Sequence, residues 1–369
     1  LIVVLLLKEI AMTQARKYIW NDNMCAHYFI TNRCVQQAYL LSTNTNTGDV
    51  DNHRKDWVQD RLSELSEIFT IIIGTFSVMD NHMHINVQTR PDLTELLSDE
   101  EVAKRWLKLY PPKNSKTLNF TPEQWKISEY AIISNQETVK IYRQRLGSLS
   151  WFMKSLSEHI ARLANKESEC KGRFWQGRYN SKLLTSAKAV VLASQYTDLN
   201  PIRANLAETP ETSQFTGVYE RIQASQAQEK IEGFNEHINN GNAIHKDKKN
   251  EIDELSEKIH SARWLAQFPK ENEFQTMPFY KITERDYLDL LDWTGRILHP
   301  KKTGAIPHDI PHIFERLQID KNDWLDTIIN YDKLFYRIIG KMSVAWKMLT
   351  DTANQWFKGS KTNRKLFGD

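Results

Sequence analysis

The chain has 369 residues, of which 40% are hydrophobic and 26% are charged, proportions near the globular average that argue against wholesale disorder and against a membrane bundle. The chain has three cysteines, an odd number and too few for a secreted disulfide scaffold, so we expect a reducing, cytoplasmic setting. The net charge of +3 does not by itself indicate a nucleic-acid partner, because that conclusion needs charge concentrated on one surface.

The apolar run from Leu1 to Leu7 is too short to cross a bilayer and no basic segment precedes it. We expect residues 1–11 to be a start-site artefact or a disordered lead, with translation beginning at Met12. No membrane association is expected.

The next elements predict a strand, a helix and a β-hairpin. Residues 27–33, HYFITNR, alternate apolar and polar side chains as a half-buried strand does. Residues 54–68 carry apolar side chains near helical spacing. Residues 69–78 are rich in β-formers, and a polar Asp80-Asn81 turn leads from them into the strand that carries His82 and His84.

The rest of the chain is predicted to be mainly helical. We expect a helical insertion over residues 91–147, an amphipathic helix over 148–168, and a helix from the caps Thr185-Ser186 to Asn200-Pro201. Residues 223–274 are rich in Gln, Glu, Lys and Asn and predict a polar connector or an exposed helix. Residues 275–369 regain aromatic residues and predict a helical C-terminal domain.

Two histidines in one strand suggest a metal site. Alternate side chains of a strand share a face, so His82 and His84 lie on one face, about 7 Å apart along the strand, while Met83 and Ile85 lie on the other. That distance lets both imidazoles reach one metal ion. An HxH pair alone is more often structural or accidental than functional, so the rest of the chain has to decide.

Three segments carry a family resemblance. VMDNHMHINV, residues 78–87, resembles the HUH motif, in which two histidines flank a bulky hydrophobic residue. RFWQGRYNSKLLTSAKAVVLASQYTDLNPIRANL, residues 173–206, looks like the second signature of the REP-associated tyrosine transposases, relatives of the single-tyrosine insertion-sequence transposases that act on single-stranded DNA. With HYFITNRCVQQAYL, residues 27–40, the resemblance covers roughly residues 14–222.

The resemblance implies a catalytic site. It makes Tyr196 the nucleophile and Asn200 a third metal ligand beside His82 and His84. Two neutral imidazoles and an amide oxygen leave open coordination positions, which suits Mg²⁺ or Mn²⁺ bound together with a phosphate. Spacing agrees, since residues i and i+4 of a helix share a face, and Pro201 predicts a helix end or kink near Asn200.

The segment before the first histidine departs from the family pattern. Many relatives have Pro-Asn or Ser-Asn there, whereas this chain has Asp80-Asn81. Asp80 either forms the turn, which we favour, or adds negative charge near the metal.

The predicted fold class is α/β (α+β). We expect a ferredoxin-like antiparallel sheet with flanking helices, an HUH nuclease core with the histidine strand at its centre, followed by a mostly helical C-terminal domain. The predicted function is a metal-dependent single-strand DNA transposase or endonuclease that cleaves and rejoins DNA at hairpin-forming repeats through a 5′-phosphotyrosine link, in the nucleoid of a bacterial cytoplasm. A non-catalytic DNA-hairpin-binding protein and a replication or conjugation nickase are the alternatives, and a homodimer is left undecided.

A basic segment is the predicted DNA surface. Between Lys140 and Lys188 there are eleven Lys or Arg residues against three Glu, an excess far above the chain average. The residues predicted to contact DNA are Arg173, Arg178, Lys182, Arg203 and the stacking aromatic Trp175. The alternative is that Trp175 is core and the charges form a solvated face.

Two other candidate sites are weaker. Cys25, His27 and Cys34 have no CxxC spacing, so zinc is disfavoured. His308 and His312 have no companion acid or histidine and are interpreted as structural.

Overall fold

The structure is a computed structural model, and it describes residues 24–44, 50–113, 115, 117, 119–239, 246–269, 279–298, 320–335, 337–348 and 359–368. Residues 1–11, Met12, His308 and His312 lie outside these ranges, so the expectations for them are untested.

The first part of the chain forms a strand, a helix and a hairpin in the predicted order. The elements are β1 (Ala26–Arg33), β2 (Thr43–Asn44), β3 (Val50–Asp51), α1 (His53–Ile68), β4 (Ile71–Val78) and β5 (His82–Thr89). The Met79 N–H donates to the His82 carbonyl at 2.8 Å across the hairpin turn. The predicted insertion is also helical, with α2 (Pro91–Thr94), α3 (Asp99–Leu109), α4 (Pro122–Ile133) and α5 (Gln136–Leu146).

The second signature segment and the remainder of the chain follow. The elements are α6 (Leu149–Glu167), β6 (Asn180–Leu184), α7 (Ala187–Asp198), α8 (Asn200–Arg203), α9 (Gly217–Asn239), α10 (Lys246–Ser261), α11 (Glu284–Leu298), α12 (Lys321–Leu334), β7 (Ile338–Ile339), α13 (Met342–Met348) and α14 (Ser360–Phe367). Ser186 caps α7 as predicted, since its side chain accepts from the Ala189 N–H. No helix in these ranges is both long enough and apolar enough to span a membrane.

The predicted polar connector is largely helical. Residue 222, the predicted domain boundary, lies inside α9, and the segment that follows it is built mainly from α9 and α10, which pack against each other. Of the two predicted alternatives, a polar connector or an exposed helix, the described part of this segment forms the exposed helix, since most of its described side chains are exposed or half-buried.

The fold is a mixed α/β structure with a five-stranded, mostly antiparallel sheet and many helices. The strand order is β4-β5-β1-β6-β7, and only the β6–β7 pair is parallel. The histidine strand was expected at the centre, but β1 lies there and β5 is one position away. The C-terminal segment supplies the fifth strand: the Leu183 N–H donates to the Arg337 carbonyl at 2.7 Å, and the Thr185 N–H to the Ile339 carbonyl at 2.8 Å.

The two faces of the sheet bury different residues. Ile30, Met83 and Ile85 point to a core shared with α1 and α6. Phe29 points to the other face, where a second core contains α7 and the aromatic side chains of the C-terminal segment. The predicted alternation of β5 is therefore present, and its polar face is covered by protein rather than open.

Candidate active site

The pairing of three strands places the polar side chains in one row. Across the β1–β5 pair, Thr31 lies opposite His84 and Arg33 opposite His82. On the other side of β1, Lys182 lies opposite Phe29. Residues opposite each other in an antiparallel pair point to the same face. These side chains therefore share the face that α7 covers.

The imidazole of His84 is buried and has one free nitrogen. Its Nδ1 lies 3.1 Å from the Thr31 hydroxyl oxygen, and its ring stacks on Phe29 with centroids 5.2 Å apart. Its Nε2 is buried and has no hydrogen-bond partner among the residues that the structure describes. With the ring proton on Nδ1 and donated to Thr31, Nε2 carries the lone pair that a metal ion requires.

A chain of hydrogen bonds also orients His82. Nδ2 of Asn81 donates to the Gln37 carbonyl at 3.2 Å, which turns the amide oxygen of Asn81 toward His82. That oxygen lies 2.6 Å from His82 Nδ1. Because an amide oxygen only accepts, Nδ1 carries the proton and Nε2 keeps its lone pair. The His82 and His84 rings are 4.8 Å apart between centroids.

Both imidazoles are held in the neutral form. Burial, together with the nearby Arg33 guanidinium, lowers the pKa of His82 to about 4. Burial also lowers the pKa of His84 well below its ordinary value. Neutral imidazole is the form that binds metals.

Tyr196 lies beside the histidine pair. Its ring centroid is 5.6 Å from that of His84. The guanidinium of Arg203, on α8, lies 4.7 Å from the Tyr196 ring centroid. The hydroxyl donates to Oδ2 of Asp332, on α12, at 2.8 Å. Only 4% of the residue is exposed. Burial and the neighbouring Asp332 carboxylate raise the pKa of Tyr196 to about 12, so the hydroxyl holds its proton at neutral pH.

Asn200 follows Tyr196 closely along the chain, but its side chain makes no hydrogen bond to the histidine pair among the described residues. It is buried and begins α8, and a single residue, Leu199, separates it from the end of α7 at Asp198. The predicted helix end before Pro201 is therefore present. Among the described residues, no hydrogen bond connects the Asn200 side chain to His82 or His84. The residues so described also contain no cluster of three or more His, Cys, Asp or Glu able to hold a metal.

The residues predicted to bind DNA lie in different environments. Arg173 and Arg178 are exposed, whereas Arg203 is half-buried against Tyr196. Lys182 is buried beneath Asp332, with 3.3 Å between Nζ and Oδ1. Trp175 is 8% exposed and donates its indole N–H to the Ser157 carbonyl at 2.9 Å. Its burial leaves little of the ring available for a base to stack on.

Part of the basic excess between Lys140 and Lys188 is engaged by the protein's own side chains. Arg143 pairs with Asp99 inside the insertion, and Arg145 packs its guanidinium over Trp151 at 4.3 Å. Arg162 pairs with Glu158 on its own helix.

The Asp80 departure has a structural explanation. Lys55 of α1 places its Nζ 2.7 Å from Oδ1 of Asp80, and the Asp80 carbonyl accepts the Leu41 N–H at 2.8 Å. These contacts tie the turn to α1 and to the segment after β1. The ion pair with Lys55 offsets the charge that Asp80 brings near the histidines.

The disfavoured zinc residues do not converge. The Cys25 thiol donates to Asp92 at 3.0 Å, His27 packs edge-on against Phe279, and Cys34 is buried in the core.

Tyr331 and Asp332 are the site residues that sequence reasoning missed. They belong to α12, far along the chain from Tyr196, and NYDKLF, residues 330–335, has no motif that indicates a role. Tyr331 stacks on Tyr196 with centroids 4.1 Å apart and planes 16° apart. The nearest signal was the return of aromatic residues after residue 275.

No family model, curated protein or solved structure matches the chain.

Proposed function

We propose that the protein is a metal-dependent, single-tyrosine DNA transposase or endonuclease that cleaves and rejoins single-stranded DNA at hairpin-forming repeats. One observation carries this proposal: His82, His84 and Tyr196 meet on one face of the sheet, with ring centroids 4.8 Å and 5.6 Å apart along the series. Folding alone does not require two imidazoles with lone pairs beside a tyrosine hydroxyl.

The chain order of the core elements supports a ferredoxin-like HUH nuclease core. The order β1, α1, β4, β5, α6, β6 is a βαββαβ unit. Its four strands lie in the order β4-β5-β1-β6, which is the arrangement of a split βαβ fold. We interpret the remaining helices as additions to that core.

The histidine pair fits a divalent metal. The Nε2 of His84 is buried, has no partner among the described residues, and can therefore donate its lone pair to a metal. The Asn81 and Thr31 contacts orient the two imidazole rings, as hydrogen-bond partners of metal ligands commonly do. His82 and His84 would hold Mg²⁺ or Mn²⁺, with Asn200 the third ligand that the resemblance implies. When bound, such an ion supplies Lewis-acid stabilisation of charge on a phosphoryl oxygen.

The chain's own residues account for the covalent step. The hydroxyl oxygen of Tyr196 attacks the phosphorus of a phosphodiester, a tyrosine O–P bond forms, and the bond from phosphorus to the 3′ oxygen breaks. The phenol loses its proton and the released 3′ oxygen gains one, so the fragments are a 5′-phosphotyrosine link and a 3′-hydroxyl. One phosphoester replaces another, so attack by a second 3′-hydroxyl reverses the reaction.

The burial of Tyr196 favours a second candidate, a non-catalytic DNA-hairpin-binding protein. A residue that is 4% exposed is not accessible to a strand in this conformation. A nickase of the replication or conjugation kind uses the same chemistry and differs in its product, which is an unjoined nick.

The test is covalent trapping on a denaturing gel. Single-stranded hairpin DNA from the flanks of the gene is labelled at its 3′ end and incubated with the protein and Mn²⁺ or Mg²⁺. We expect a labelled adduct that disappears with chelator and in Tyr196→Phe. Tyr130→Phe is the matched control, because Tyr130 is 73% exposed on α4 and its loss should leave the adduct unchanged.

Two results separate the alternatives. Binding without an adduct, across several flanking hairpins, would support the non-catalytic binder. An adduct that never yields joined repeat ends would support the nickase.

A further inference from the structure

Helix α12 covers the tyrosine with two consecutive residues. Tyr331 stacks on the Tyr196 ring at 4.1 Å, and Asp332 accepts the hydrogen bond from its hydroxyl at 2.8 Å. We call Tyr331 and Asp332 the α12 cover. With the hydroxyl bonded to a carboxylate and only 4% of Tyr196 exposed, a phosphodiester cannot reach the hydroxyl while the α12 cover stays in place.

The carboxylate of Asp332 is held by groups that suit a phosphate oxygen. Besides the Tyr196 hydroxyl, Lys182 Nζ lies 3.3 Å from one oxygen and Arg33 Nη2 lies 3.9 Å from the other. Only 6% of the Lys182 side chain is exposed, and its ammonium lies over the rings of Phe29 and Tyr331. A buried ammonium requires an anion beside it. Asp332 is the anion that the chain itself provides.

Arg33, Lys182 and Asp332 line a cavity of about 420 Å³, within the range of ligand pockets. The described lining also includes Asn180 and the predicted DNA-binding Arg178. Among the described lining residues Asp332 is the only acidic one, and 47% of its side chain is exposed. Without Asp332 the described lining would hold three cations and otherwise uncharged residues.

A role for Asp332 as the proton acceptor of Tyr196 is disfavoured. Burial works to raise the pKa of Asp332, but the Lys182 ammonium and the hydrogen bond from Tyr196 outweigh it and lower that pKa. The pKa of Tyr196 is about 12, so the two groups are poorly matched for proton transfer. A carboxylate at this position would also repel the phosphodiester that Tyr196 has to attack.

We propose that three groups form the binding site for a phosphodiester of single-stranded DNA: the Lys182 ammonium, the Arg33 guanidinium and the Tyr196 hydroxyl. Asp332 occupies this site until the strand displaces it. The inference rests on the proposed function for the identity of the anion. Docking of α12 and binding of the strand are then mutually exclusive. The protein is closed when it is free and opens when the substrate competes for the cations.

The experiment compares Asp332→Asn with wild type for binding of a dye-labelled single-stranded oligonucleotide, measured by fluorescence anisotropy in EDTA so that no cleavage occurs. Removing the charge while keeping the size should tighten binding about tenfold, a typical coupling between two sites. Asp326→Asn is the matched control, since Asp326 is exposed on the same helix and its side chain accepts from Asn330. Its affinity should equal that of wild type.

A second measurement needs no substitution. Amide hydrogen exchange of wild type should accelerate across residues 321–334 when the oligonucleotide is added. Unchanged or weaker binding by Asp332→Asn, or exchange in α12 that does not accelerate, would overturn the proposal.

Adduct formation then separates this inference from the proposed function. Tighter binding by Asp332→Asn with no adduct in any variant would support the phosphate site and contradict the transposase function. An adduct in wild type together with unchanged affinity in Asp332→Asn would support the transposase function and contradict the role of the α12 cover.

Discussion

The hydroxyl oxygen of Thr31 lies 3.1 Å from Nδ1 of His84, and this contact orients the imidazole so that Nε2 is the nitrogen left without a partner among the described residues. The two residues lie opposite each other in the β1–β5 pair, so the strand register itself brings them together. The orientation of the candidate metal ligand is therefore built into the sheet rather than into a loop.

Metal binding should respond to both residues. We expect His84→Gln to abolish Mn²⁺ binding, because it removes the buried Nε2, and Thr31→Val to weaken binding by about 10–100-fold through loss of ring orientation. The measurement is Mn²⁺ titration followed by electron paramagnetic resonance. His260→Gln, on the exposed side of α10, is the control. Equal Mn²⁺ affinity in all four proteins would exclude the histidine pair as the metal site.

DNA binding should depend on the cations of the cavity. Arg178 is exposed and lines the cavity beside Lys182, so Arg178→Ala should weaken single-stranded DNA binding. If it contacts one phosphate, the slope of log affinity against log salt should fall by about 0.7. Lys108→Ala, at a cation 62% exposed on α3, should leave affinity and slope unchanged. An unchanged slope in Arg178→Ala would place the strand elsewhere.

The bulge in β4 should be sensitive to a single methyl group. The register shifts between Ile73 and Thr75, and a Cβ on Gly74 would lie 2.1 Å from the ring of Phe279. Gly74→Ala should therefore lower the free energy of unfolding by about 1–3 kcal/mol through overpacking. Gly233→Ala in α9 is the control, because its Cβ would meet nothing within 4 Å and alanine favours a helix. Denaturant unfolding that ranks the two variants equally would contradict this account.

Asp198 should make stability depend on pH. It is buried, and burial raises its pKa to about 6, against the hydrogen bonds donated by Thr75 and Tyr287. The folded protein then binds the proton more tightly than the unfolded chain. The stabilising contribution is complete below pH 3.8, falls as pH rises through 6, and amounts to about 3 kcal/mol in total.

Asp198→Asn should remove this dependence. The unfolding free energy of the variant, relative to wild type, should rise by about 3 kcal/mol between pH 4 and pH 7. Thr75→Val should instead make stability depend more strongly on pH. It should destabilise the protein mainly above pH 6, because it removes a hydrogen bond to the charged form of Asp198. Parallel stability curves for wild type and Asp198→Asn would show that the carboxylate is not coupled to folding.

Local patterns predicted the elements of the core well. The alternation in HYFITNR, the helical spacing after residue 53 and the Ser186 cap each correspond to an observed element. These signals are local, because period and capping depend on neighbours within a few residues. The same patterns did not locate β5 within the sheet, since strand order is set by pairing between distant segments.

The candidate site was predictable only in part. His82, His84 and Tyr196 are close together, as the motif pattern predicted. Trp175 was offered for base stacking and instead packs in the core, because the sequence does not distinguish an aromatic that covers a sheet from one that faces solvent. The α12 cover had no sequence signal, since Tyr331 and Asp332 take their meaning only from the residue they contact.

The pairing of β7 with β6 has a consequence for any shortened form of the protein. The carbonyls of Arg337 and Ile339 accept from the Leu183 and Thr185 N–H groups on one side of β6, and β6 would be the outer strand of the sheet without β7. An unpaired outer strand is a template for pairing with another chain. A fragment ending near residue 222 would therefore expose both an unpaired strand edge and the aromatic surface around Phe29. We expect such a fragment to aggregate rather than to fold as an independent domain.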